Sequence, residues 1–175
     1  MIEATLCFVI REGSPSHILL GKKKRGFGVG KLNGIGGKLA PGESPEDCII
    51  REVHEEVGLT ISREALRPVG HITFRFPFRP EFNHFVHIFV TTEWDGEPIE
   101  SAEMQPFWFS VNEIPFERMW QDDAYWLPIV LNGKTIQAEF EFGEDNETVV
   151  NWVIQGGSST NQPGCETRTL LRGTT

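Results

Sequence analysis

Gly37-Lys38-Leu39-Ala40-Pro41-Gly42-Glu43-Ser44-Pro45-Glu46-Asp47-Cys48-Ile49-Ile50-Arg51-Glu52-Val53-His54-Glu55-Glu56-Val57-Gly58-Leu59 is the stretch around which the rest of the chain is organised. Ser44 is a good N-cap, Pro45 suits a first helical turn where its missing N–H costs nothing, and Gly58 takes the left-handed conformation that ends a helix. A helix from Pro45 to Val57 is therefore predicted. At about 100° per residue, Glu52, Glu55 and Glu56 share one arc of roughly 100°, and Ile49, Ile50, Val53 and Val57 share the neighbouring one. The apolar stripe belongs to a core and the acidic stripe to a cleft. Carboxylates at i, i+3 and i+4 repel by a few tenths of a kcal/mol per pair, which a divalent cation would relieve. Hard oxygen ligands suit Mg²⁺, with Mn²⁺ able to substitute, and such ions complete their shell with water and phosphate oxygens. Glu43 offers a fourth carboxylate, and Arg51 can orient one of the glutamates through a bidentate pair.

An acidic stripe alone is more often a solvated helix face. Here the spacing Gly-x5-Glu-x7-Arg-Glu-U-x-Glu-Glu-x-Gly-U, with U aliphatic, would match by chance with a probability on the order of 10⁻⁷ at average residue usage. This is the Nudix box, and the chain resembles the Nudix hydrolases. The resemblance implies an α/β fold, an α/β/α sandwich with a mixed β-sheet between helices.

The chain has 175 residues, 39% of them hydrophobic and 11% aromatic, enough for one catalytic domain with a real core. A formal net charge of −9 and a pI near 5.0 argue against a nucleic acid polymer as partner and favour a free nucleotide carried with Mg²⁺. Cys7, Cys48 and Cys165 show neither zinc spacing nor a disulfide framework and read as reduced intracellular thiols. Met1-Ile2-Glu3 lacks a basic start, and the apolar run Leu6 to Ile10 is too short for a signal sequence or membrane span. The expectation is a cytoplasmic monomer with no membrane partner.

Apolar alternation predicts strands at Ala4 to Ile10, His17 to Leu20, Leu32 to Ile35, Val69 to Phe76, Asn83 to Thr92, from Phe107 onward, Thr135 to Phe142 and Thr148 to Ile154. Lys22-Lys23-Lys24-Arg25 is the densest positive charge in an acidic chain, and Lys23 is the first candidate to meet a triphosphate. The Gly26-x-Gly28-x-Gly30 spacing has no strand–helix crossover around it and is not a dinucleotide-binding turn. Glycines there, and at 34, 36 and 37, let the chain run close to the helix N-terminus, where a backbone carbonyl near Gly36 or Gly37 can reach the metal. Gln155 to Thr175 shifts to Gly, Ser, Thr, Asn and Pro, so the domain is placed at 1–154 and a flexible tail at 155–175.

Trp120-Gln121-Asp122-Asp123 precedes an apolar run that reads as a helix. Its plain reading is that an aspartate caps the helix. The other is base recognition: an aromatic plane stacks a base while adjacent carboxyls, one held protonated by its neighbour and by burial, read its polar edge.

Within the Nudix hydrolases the chain is similar to the animal MutT-homologue branch, the oxidised purine nucleoside triphosphatases. Arg25-Gly26-Phe27-Gly28, Asn33-Gly34, the box, Glu103-Met104, Trp108-Phe109, Ile114-Pro115-Phe116 and Met119-Trp120-x-Asp122-Asp123-x-Tyr125-Trp126 carry that likeness. It implies that Asn33, Asp122 and Asp123 hold the base edge, that Trp120 stacks, that Thr5, Phe27, Phe74 and Met104 line the pocket, and that Glu103 joins the metal shell. It also implies pyrophosphate release from substrates such as 8-oxo-dGTP and 2-oxo-dATP. The chain departs from the branch at Leu32, at Gln121, around Pro77 to Pro80 and in its longer tail. Methylated purine triphosphates, dinucleotides and ADP-ribose are the alternative substrates, and a noncatalytic nucleotide-binding domain is the alternative of a different class.

Overall fold

Helix α1 (Pro45–Val57) forms where its signals place it. The Ser44 side chain accepts from the Asp47 N–H at 3.1 Å, and Gly58, at φ 72°, returns its N–H to the His54 carbonyl. The computed structural model describes residues 1–159 and 169–174, and among these the chain forms two units. One comprises Ala4–Pro68 with Phe89–Trp120; the other comprises Met1–Glu3, Val69–Ile88 and Gln121–Thr175.

In the first unit, strand β2 (His17–Lys23) is central. One of its edges pairs antiparallel with β6 (Met104–Ser110) from His17↔Ser110 to Lys23↔Met104. The other edge is shared, antiparallel, by β1 (Ile2–Arg11) at Leu19↔Val9 and by β3 (Leu32–Asn33) at Gly21↔Asn33. Beyond β3 the chain runs against β1, with Cys7 N–H to the Ile35 carbonyl at 2.7 Å and Thr5 N–H to the Gly37 carbonyl at 2.8 Å. A Cβ on Gly36 would stand 2.1 Å from the Thr5 carbonyl oxygen, so only glycine fits this approach. The segment is thereby fixed beside the helix, whose Ile49, Val53 and Val57 are fully buried with Cys7, Val9, Leu19, Ile35 and Met104. Each such side chain contributes roughly 1.5–3 kcal/mol by leaving water.

Strand β6 begins at Met104, three residues before the expected Phe107. The Ser101 Oγ accepts from the Glu103 and Met104 N–H groups, and the Met104 thioether fills the space that a Cβ on Gly21 would need.

In the second unit, β4 (Arg67–Arg75, from Val69 onward) lies parallel to β7 (Lys134–Phe142). Strand β7 pairs antiparallel with β8 (Val149–Ser159), and β8 with β9 (Thr169–Thr174). The sheet is therefore mixed, and helix α2 (Asp123–Leu131) packs on β7 with Trp126 and Leu127 fully buried. Strand β5 (His84–Thr91) runs from this unit into the first. Among the described residues the fold is of the α/β class, with two α-helices.

The tail differs from the sequence expectation. Residues 155–159 extend β8, and Thr169–Thr174 pairs with it from Asn151↔Thr174 to Gly156↔Thr169. Gly173 explains the pairing: its bare Cα lies on Trp152, where a Cβ would stand 2.6 Å from the indole. Cys165 and the rest of 160–168 lie outside the described residues.

Candidate active site

The second half of α1, the loop residue Glu43 and the Gly36-Gly37 segment bring the acidic residues of the central stretch together on two anchors. Arg51 is the first. Its Nε and Nη2 donate to the two Glu43 oxygens at 2.8 and 2.9 Å, and its Nη1 donates to Glu52 at 2.7 Å and Glu55 at 3.1 Å. The fork holds the Glu43 carboxyl down to about 2, helped by the Ala40 N–H, while the surrounding carboxylates raise the Arg51 guanidinium further.

The second anchor is the Gly36 N–H, which donates to Glu56 at 3.2 Å. Glu56 is only 4% exposed, and burial pushes its carboxyl up to about 7 against the opposing pull of that N–H. Glu52 and Glu103 raise it further and Lys23 lowers it, so these groups share one electrostatic environment. Glu52 lies flat on Gly37, since a Cβ there would stand 2.4 Å from its carboxyl carbon. The Gly37 carbonyl accepts from Thr5 N–H, with the Thr5 hydroxyl at 3.4 Å and the Cys48 thiol at 3.7 Å. Among the described residues no three acidic, imidazole or thiol side chains converge on a single metal position.

The basic run divides. Lys24 pairs with Glu100 at 2.6 Å and Arg25 with Glu103, leaving Lys23 as the lysine whose charge reaches Glu56. Asn33 turns its Oδ1 to the Gly34 N–H at 2.8 Å. The Phe27 ring stacks on Trp120, centroids 5.0 Å apart and planes 29° apart. Met104 is buried in the core of the same unit.

In the other unit Asp122 and Asp123 are both only 2% exposed. Asp122 occupies the N-cap position of α2 with helical backbone angles and makes no capping bond; its Oδ2 accepts from Trp126 Nε1 at 2.8 Å. The capping expectation is therefore corrected for Asp122, while Asp123 stands in the first turn of the helix, where a negative charge complements the dipole. Gln121 accepts from the Val149 N–H at 2.5 Å and ties the start of β8 to this segment. Phe74 stacks with Phe140 at 6.1 Å and tilts against Phe142 at 6.3 Å. Sequence reading missed the pairing of the basic run with Glu100 and Glu103. Lysines followed by glutamates some 76 positions later carry no local signal.

A family model of the NUDIX domain matches residues 2–129. The chain belongs to the NUDIX family. Among curated relatives it is 44% identical over 151 residues to the oxidized purine nucleoside triphosphate hydrolase of Mus musculus, covering 86% of this chain and 92% of that one. It is 46% identical over 138 residues to the protein of the same name from Danio rerio, covering 79% and 85%. The crystal structure of the MutT protein from Bacillus halodurans superposes with a TM-score of 0.75 over 88% of this chain and 97% of that one, at 23% identity, a likeness of fold. Arg51, Glu43, Glu52, Glu55 and Glu56 are thus charged residues of the Nudix-box stretch, gathered by the Arg51 guanidinium and the Gly36 N–H.

Proposed function

We propose that the protein is a Mg²⁺-dependent pyrophosphohydrolase that converts oxidised purine nucleoside triphosphates, such as 8-oxo-dGTP and 2-oxo-dATP, to the monophosphate and pyrophosphate. The observation that carries this reading is the 44–46% identity, over most of both chains, to relatives bearing that name. The intact Nudix box supports catalysis over a noncatalytic binding role.

Hydrolysis of a phosphoanhydride requires charge neutralisation on the phosphates, an in-line water and a proton acceptor. Nudix hydrolases generally use divalent metals, and the donor set here fits Mg²⁺, with Mn²⁺ as substitute: oxygen ligands only, in a cradle at Gly37 that a side chain would fill. Glu52, Glu55 and Glu56, with Glu103 and the Gly36 and Gly37 backbone, would hold the ion. Bound there, it would neutralise phosphate charge and acidify water. Arg51, held by Glu43 through Nε and Nη2, orients Glu52 and Glu55 through Nη1 toward the position where they would hold the ion. Glu56 is the first candidate to accept the proton of the attacking water, with Glu52 the second. Lys23 meets the phosphates. By sequence resemblance Trp120 stacks the base, Asn33, Asp122 and Asp123 read its edge, and Thr5, Phe27, Phe74 and Met104 line the pocket.

No described helix is long and apolar enough to cross a membrane, and Cys7 and Cys48 are free thiols. A cytoplasmic monomer acting on free nucleotides fits these features. Product analysis tests the reaction: 8-oxo-dGTP should give 8-oxo-dGMP and pyrophosphate in equal amounts. Diphosphate nucleotide with orthophosphate would contradict it.

A further inference from the structure

The connection between β2 and β3 is a built support. Lys23 N–H donates to the Lys31 carbonyl at 3.0 Å and Gly30 N–H to the Lys23 carbonyl at 2.8 Å, closing its base. Val29 N–H to Gly26 and Lys31 N–H to Gly28, each 3.1 Å, make two successive turns. Gly26, Gly28 and Gly30 all have φ between 77° and 87°, which accounts for the alternating glycines. The support presents two side chains to one indole. Phe27 stacks on Trp120 at 5.0 Å, and the Lys31 Nζ lies 4.9 Å from the Trp120 ring centroid. Gly28 passes so close that a Cβ would stand 3.0 Å from the same ring.

We propose that Lys31 is a positioning residue for substrate binding, its ammonium holding the Trp120 indole in the orientation that stacks the base. The proposal rests on the reading of Trp120 as the stacking residue. Trp120 follows a short 3-10 turn at Phe116–Arg118, and a half-buried indole there keeps two side-chain torsions unless its neighbours fix them. Ordering the ring before the nucleotide arrives removes that cost from binding. A cation over an accessible indole raises the population of the held ring by up to roughly three- to fivefold, and apparent affinity rises with that population. Arginine preserves the attraction through a flat guanidinium, whereas methionine keeps only the stem.

The test is a double-mutant cycle of Lys31→Met and Trp120→Leu on 8-oxo-dGTP and dGTP, with Lys31→Arg as the conservative variant. Lys31→Met should raise KM about three- to fivefold with kcat changed less than about twofold, and Lys31→Arg should restore KM. In the Trp120→Leu background Lys31→Met should have almost no effect on KM. A penalty that persists in that background means that Lys31 acts on the nucleotide directly and overturns the proposal, as does a fall in kcat at constant KM. Trp120 emission, taken as the difference between the wild type and Trp120→Leu, should shift in Lys31→Met without any nucleotide; an unchanged spectrum also overturns it. A wrong substrate assignment shows separately, as absence of preference for the oxidised purine while the coupling on dGTP remains.

Discussion

Burial places the Glu56 carboxyl near 7 in the folded chain against about 4.5 in the unfolded one. The folded state thus holds the proton more tightly. In the absence of metal its contribution to stability is complete below about 4.5 and is lost as pH rises through about 7. The loss is on the order of 3 kcal/mol. Thermal melts of metal-free protein should show a fall in Tm between pH 5 and 8 that Glu56→Gln abolishes; parallel curves for the two proteins would contradict this. Glu43 works in the opposite sense, lost only as pH falls through about 2. Glu56→Gln should also cost at least about 10²-fold in turnover with nucleotide binding kept. The neighbouring glycines separate stability from chemistry. At Gly36 an added methyl meets the Thr5 backbone at 2.1 Å, so Gly36→Ala should destabilise by roughly 1–3 kcal/mol in denaturant titration. At Gly37 it meets the movable end of Glu52 at 2.4 Å, so Gly37→Ala should lose activity with little change in the unfolding midpoint.

Helix α1 shows how much of an element can be read in sequence: its cap, first turn, terminator and buried stripe were all written in adjacent residues, and its bounds match. Ile49→Ala, opening a cavity in that stripe, should cost about 2–5 kcal/mol. Strand β9 was illegible because its stabilising contact, Gly173 against Trp152, joins residues that only the β8–β9 register brings together. Composition reported a polar tail and said nothing of that pairing. Deleting residues 160–175 should lower Tm by several degrees while leaving kcat/KM intact; lost activity would show that the tail is part of the site.

For the whole molecule, the box was legible because its specified residues lie within one helix, the loop ahead of it and the two residues after it. The disposition of charge was not. Arg51 gathers Glu43, Glu52 and Glu55, and Arg25 pairs with Glu103, through contacts that spacing alone does not encode. The burial of Asp122 against Trp126 was not foreseen, because the side-chain cap expected at a helix start is replaced there by an indole N–H four residues on. The central claim is the substrate class. It is tested most directly by kcat/KM for pyrophosphate release with Mg²⁺ across dGTP, 8-oxo-dGTP, 2-oxo-dATP, N6-methyl-dATP and ADP-ribose. The account predicts a preference of at least several tens-fold for the oxidised purines over dGTP, about 2 kcal/mol of transition-state discrimination. A flat profile, or one led by ADP-ribose, would contradict it.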